Sequence, residues 1–148
     1  VHLMYNGFGL ALFGSILEKV IGSRKFLIIF LGSGLVANIL GAFIYNSALG
    51  ASGAIFGIFG GLLIYRPLMM VPVQYVPMPM WMAAIVWMIA DIFGMLVDDS
   101  TANFAHITGL FVGAGIALYW NGFPKVFSKK AKVISDDEFD EWERKWMR

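Results

Sequence analysis

The sequence contains no cysteine and only two histidines, and just 14% of its 148 residues are Asp, Glu, Lys or Arg. Soluble domains carry roughly a quarter charged residues. The shortage is worst in the middle, where residues 26 to 120 hold one base, Arg66, and three acids, Asp91, Asp98 and Asp99. The lack of cysteine excludes a disulfide scaffold, and the high apolar content excludes intrinsic disorder. So few charges over so great a length also exclude a nucleic-acid-binding module. Two histidines with no cysteine and no His-Glu-x-x-His run leave no usual zinc site, so no metal is expected.

In place of charge there are long apolar runs: 59% of the residues are hydrophobic. Five stretches are long enough, or nearly so, to cross a hydrocarbon core of about 30 Å as helices. They are Leu3–Ile21, Phe26–Tyr45, Gly50–Tyr65, Met78–Met95 and Phe104–Trp120. The absence of polar alternation argues against a β-barrel. The expected fold is therefore an all-α polytopic membrane helix bundle over residues 1–124, followed by a tail over 125–148. Between spans, Gly22–Lys25 reads as a tight connection, Arg66–Pro77 as a loop stopped by Pro67, Pro72 and Pro77, and Val97–Ala102 as a polar turn.

With five spans, all eleven Lys and Arg residues fall on one side: Lys19, Arg24 and Lys25, then Arg66, then the tail from Lys125. The positive-inside rule makes that side cytoplasmic and places Val1 outside. Val1 is not an initiator Met and lies almost at the start of a span, so a processed or truncated chain is expected, with an upstream helix as the missing piece. In the tail, the basic run Lys125–Lys132 and a capping box at Ser135–Glu138 precede Phe139, Trp142 and Trp146. This pattern reads as a short solvated helix at the inner membrane surface.

Ionisable residues inside spans are functional candidates by default. His2 and His106 lie near the outer ends of spans one and five, and Asp91 lies within span four, where it reads as a buried structural partner. Span three has sixteen residues, or roughly 24 Å of helix, which is shorter than the apolar core. With Arg66 pinning its inner end, its outer start should be sunken, and Ser52 occupies its first turn. Small-residue ridges then indicate which helices touch. Gly53, Gly57, Gly60 and Gly61 on span three can pack against Gly109, Gly113 and Gly115 on span five. That packing would bring Ser52 and His106 to similar depth. A hydroxyl beside an imidazole at a helix N-terminus is the arrangement of an activated serine with a place for an oxyanion. His2 and Asn6, at i and i+4 on span one, could donate to the same charge.

These residues resemble the rhomboid family of intramembrane serine proteases. His2-Leu-Met-Tyr-Asn6 resembles the family's His-x-x-x-Asn, and Gly50-Ala51-Ser52-Gly53 resembles Gly-x-Ser-Gly. Ala105-His106-Ile-Thr-Gly109-Leu-Phe-Val-Gly113 resembles Ala-His-x-x-Gly-x-x-x-Gly. The resemblance implies Ser52 as nucleophile and His106 as general base, without a required Asp or a cofactor. It implies an oxyanion hole from His2, Asn6 and the Ser52 backbone N–H, with Gly50, Gly53, Phe56, Gly109 and Gly113 in support. Phe56 stands where many members have Tyr, so stacking on His106 is expected without the hydroxyl. The substrates implied are transmembrane proteins in the lipid bilayer, admitted laterally past about Met78–Asp99, and the location implied is the cell membrane. Five of the family's six helices are present. A catalytically silent relative and a transporter fragment are the competing readings.

Overall fold

The structure is a computed structural model, and it describes residues 2–43, 50–97, 103–124, 141, 144 and 145. The Asn46–Ser47 loop and the Asp98–Asp99 turn lie outside the described residues. So do the tail features Lys125–Lys132, Ser135–Glu138, Phe139, Trp142 and Trp146.

Helices α1 (His2–Gly9) and α2 (Ser15–Ile21) are joined by a π-helical turn at Leu10–Gly14. Gly9, Gly14 and Ser15 all keep right-handed helical torsions, so the three pieces form one rod. The sequence reading treated this stretch as one uniform span. Gly22 follows at φ 81°, a left-handed value that suits glycine, and turns the chain into α3 (Ser23–Ala42). Then come α4 (Ser52–Tyr65), α5 (Met80–Val97) and α6 (Asn103–Asn121).

The stretch expected to be an irregular loop differs. Strands β1 (Met70–Val73) and β2 (Val76–Pro79) form an antiparallel hairpin, the only strands among the described residues. Its two-residue turn has positive φ at both Gln74 (47°) and Tyr75 (71°), the signs a type I′ turn requires. In such a hairpin the Val73–Val76 pair beside the turn exchanges hydrogen bonds, and pairs alternate outward from it. Pro72 faces Pro77, and Pro79 faces Met70. All three prolines thus fall on non-hydrogen-bonded pairs, where a missing N–H costs the ladder nothing. Prolines that read as loop signals are compatible with strands in this register. The hairpin base also caps α5: Met80 N–H donates to the Met69 carbonyl (2.9 Å) and Trp81 N–H to that of Pro67 (3.1 Å).

Large apolar side chains point outward and small ones inward. On α3 the buried face is Ile29, Ser33, Gly34, Ala37 and Gly41, whereas Leu27, Ile28, Leu31, Leu35 and Ile39 are exposed. In α5, Ala83, Ala84 and Asp91 are buried while Ile85, Ile89, Ile92 and Phe93 are exposed. Water would penalise that distribution, but hydrocarbon does not. By length and composition, α3 and α5 can each cross a membrane. α4 is shorter, with fourteen residues, or about 21 Å. It is buried on nearly every side, so it runs through the middle of the bundle.

α4 and α6 meet along glycine. A Cβ on Gly109 would collide with the Gly53 carbonyl, and one on Gly113 with the Gly57 carbonyl. Gly60 approaches Leu110 and Ala114 in the same way. Two glycines depart from the expected ridge. Gly61 faces Leu17 and Ile29 instead, and Gly115 faces open space. Gly113→Val is therefore expected to cost at least about 2 kcal/mol by overpacking, measured by thermal unfolding in detergent. Gly115→Val should leave the midpoint nearly unchanged; equal losses would contradict the packing.

Candidate functional site

Asn38, near the end of α3, holds the chain leading into α4. Its side-chain Nδ2 donates to the Gly50 carbonyl (3.3 Å), and its Oδ1 accepts from the Gly50 N–H (3.2 Å). The same Nδ2 donates to the Gly34 carbonyl of its own helix (2.9 Å). An exposed glycine two residues before Ser52 is thus bound by both of its backbone polar groups. Ala51 then turns into the helix at φ −74°, ψ −9°, and no side chain caps the N-terminus. Ile55 N–H donates to the Ala51 carbonyl (3.1 Å). The N–H groups of Ser52, Gly53 and Ala54 precede the first such bond and carry the positive end of the helix dipole.

Ser52 is the first residue of α4 and is buried. Two other serines in the bundle satisfy their hydroxyls on their own helix: Ser33 Oγ donates to the Ile29 carbonyl (2.6 Å) and Ser15 Oγ to that of Ala11 (2.5 Å). Among the described residues, no hydrogen bond holds the Ser52 hydroxyl.

His106 lies in the first turn of α6, beside Ala105, whose carbonyl packs against Gly53. Two contacts fix its ring. Phe56, one turn below Ser52 on α4, stacks on it with ring centres 4.3 Å apart and planes 3° from parallel. On the other side Asp91 of α5 places Oδ1 3.0 Å from His106 Nδ1. Both side chains are largely shielded, 19% and 10% exposed. Where the carboxylate accepts, Nδ1 is the donor, and a neutral ring then has its lone pair on Nε2. The hydroxyl–imidazole hydrogen bond expected from the sequence is not formed here. Ring position is set by Phe56 and Asp91 instead, and catalytic bonds commonly tighten only when substrate binds.

Beyond Phe56 the aromatic contacts continue. Phe56 meets Phe59 edge-on (5.4 Å), Phe59 stacks on Trp87 of α5 (4.5 Å), and Phe59 meets Phe13 edge-on (5.0 Å). The ring beneath the imidazole is thereby anchored to three elements. Asn6 is half-buried on α1, and the His2 side chain lies outside what the structure describes. Among the described residues no three His, Asp, Glu or Cys side chains gather closely enough to hold a metal ion.

Sequence reasoning left Asp91 without a partner and missed Asn38, Trp87 and Asn103 as contributors. Asn103 is buried in the first turn of α6 and packs on Gly94. An Asn within an apolar span was a signal available for Asn38, because a buried amide needs partners.

A domain-family model described as Rhomboid domain matches residues 1–122. The chain belongs to the rhomboid family. Similar curated proteins include the rhomboid protease GlpG of Pectobacterium atrosepticum, 31% identical over 84% of this chain and 45% of that protein. RHOMBOID-like protein 4 of Arabidopsis thaliana is 32% identical over 76% of this chain and 29% of its own length. The rhomboid protease GluP of Bacillus subtilis is 41% identical over 42% of this chain and 12% of its own length. The chain thus spans less than half of these relatives. No solved structure gives a significant match. As a rhomboid-family chain it is an integral membrane helix bundle.

Asn38→Leu removes both bonds to Gly50. With roughly 1 kcal/mol for each, it should destabilise the protein by about 2 kcal/mol in detergent unfolding. An unchanged midpoint would show that the loop is held by other means.

Proposed function

We propose that this rhomboid chain carries the catalytic centre of an intramembrane serine protease. The observation that supports this most is the imidazole held between Phe56 and Asp91 at the N-terminal end of α4, where Ser52 stands with its hydroxyl uncommitted. In the proposed reaction His106 Nε2 takes the Ser52 proton, and Oγ attacks the carbonyl carbon of the scissile bond. The resulting oxyanion is met by the uncapped N–H groups of the first turn of α4, with His2 and Asn6 as further donors. His106 then gives its proton to the departing amine, and water hydrolyses the acyl-enzyme by the same route in reverse. Asp91 neutralises the imidazolium while it exists and is a positioning residue, because it acts through the histidine and not on the reacting atoms.

The substrates proposed are membrane proteins cleaved in or near their transmembrane segments. Lateral access past α5 is supported by how little that helix buries: Met80, Ala83, Ala84 and Asp91 alone of its eighteen residues. We place the C-terminus in the cytoplasm of a cell-membrane protein. In support, Lys25 lies 5.4 Å over the Trp120 ring, and Lys19 and Arg66 line one cavity, so these bases share one end of the bundle.

The test is labelling of the detergent-solubilised full-length protein with a serine-directed fluorophosphonate, paired with cleavage of a transmembrane reporter. Ser52→Ala and His106→Ala should each abolish both signals. Labelling that persists in Ser52→Ala would refute the nucleophile, and a silent relative would show neither signal in the wild type. Phe56→Ala should lower turnover about three- to tenfold, the equivalent of roughly 0.5–1.5 kcal/mol of stacking. Phe56→Tyr should retain most activity, so equal losses would refute the stacking role.

A further inference from the structure

At the end of the bundle opposite Ser52 is a cavity of about 600 Å³, formed where α2 meets the chain leaving α4. Lys19 and Val20 of α2 form one wall, and Tyr65, Arg66, Leu68 and Met69 form the other. Among the described residues no carboxylate lines it. Glu18 precedes Lys19 by one residue, about 100° around the helix, and is not among the lining groups. Among the described residues neither Lys19 nor Arg66 makes an ion pair, in a chain where charge is scarce. Two uncompensated cations and a phenol therefore surround a space whose remaining walls are apolar. Leu68 is exposed beside it, and Met70, Tyr75 and Val76 of the adjoining hairpin are exposed as well.

We propose that this cavity binds the headgroup of an anionic phospholipid. The phosphate sits between Lys19 and Arg66 and accepts a hydrogen bond from the Tyr65 hydroxyl, while the acyl chains lie along Leu68 and the outer face of the hairpin. The two halves of the site match the two halves of such a molecule. Cations at a bilayer edge attract anionic lipid, and basic pockets between transmembrane helices take headgroups. A free phosphate would use the cations and leave the apolar walls unexplained. An acidic protein segment would leave Leu68 and Met70 uncovered at the depth where lipid begins. The site is remote from Ser52 and does not depend on the protease reading.

Native mass spectrometry and thermal unfolding of the intact protein with phosphatidylglycerol, phosphatidylcholine or inorganic phosphate test the proposal. Phosphatidylglycerol should be retained about tenfold over phosphatidylcholine, roughly the factor that 1.4 kcal/mol confers, and should raise the unfolding midpoint. Lys19→Gln with Arg66→Gln should abolish that preference. Arg24→Gln with Lys25→Gln, at the same edge but outside the cavity, should preserve it. Equal retention of the two lipids by the wild type overturns the proposal. So does stabilisation by inorganic phosphate equal to that by phosphatidylglycerol, which would make the site one for free anions. A loss of stability in the Lys19/Arg66 variant with no lipid preference in the wild type also overturns it. That result would assign the cations to a protein contact, such as one with the acidic stretch Asp136–Glu143.

Discussion

Backbone-to-backbone contact between α4 and α6 is the constraint on which the site depends. Gly53 and Gly57 lie against Gly109 and Gly113 with no room for a side chain, so the two helices run side by side and in the same direction. Hydrocarbon supplies no hydrophobic force between helices, and close packing of small residues takes its place. Because the contact starts at Gly53 and includes Ala105, the residues just before and after it, Ser52 and His106, are brought to the same end of the bundle. The geometry of the proposed site is thus a consequence of packing rather than an addition to it.

What packing alone leaves undetermined is the orientation of the imidazole, and three other elements settle that. Phe56 supplies a flat surface, Phe59 and Trp87 hold Phe56, and Asp91 fixes one ring nitrogen. Asn38 does the corresponding work for Ser52 by binding Gly50 ahead of α4. A buried carboxylate and a half-buried amide both lose solvation and need partners, which ties their conformations to those of the groups they bind. α5 buries only Met80, Ala83, Ala84 and Asp91, with Trp87 half-buried. The helix that supports the histidine therefore leaves much of its own surface facing out of the bundle.

Much of this could be read from the residues. Five spans, the short third one with Ser52 in its first turn and the facing glycines all follow from apolar length and small-residue spacing, which are local properties. The hairpin at 70–79 was not legible, because proline signals a loop unless the register is known, and register depends on the Gln74–Tyr75 turn. Gly61 and Gly115 looked like ridge members but face elsewhere, since spacing alone does not say which side of a helix meets which neighbour. The π-helical turn in the first rod likewise shifts faces without a mark in the sequence. The Asp91–His106 pair joins residues on different helices, and only their crossing shows that they meet.

The central claim is that Asp91 fixes His106 so that Nε2 is free to take a proton from Ser52. Nitrogen NMR of the selectively labelled histidine in the full-length protein, at a pH where the ring is neutral, tests this most directly. The account predicts a hydrogen on Nδ1 and a bare Nε2 in the wild type, with that preference lost in Asp91→Ala. A hydrogen on Nε2 in the wild type, or a tautomer indifferent to Asp91, would contradict it.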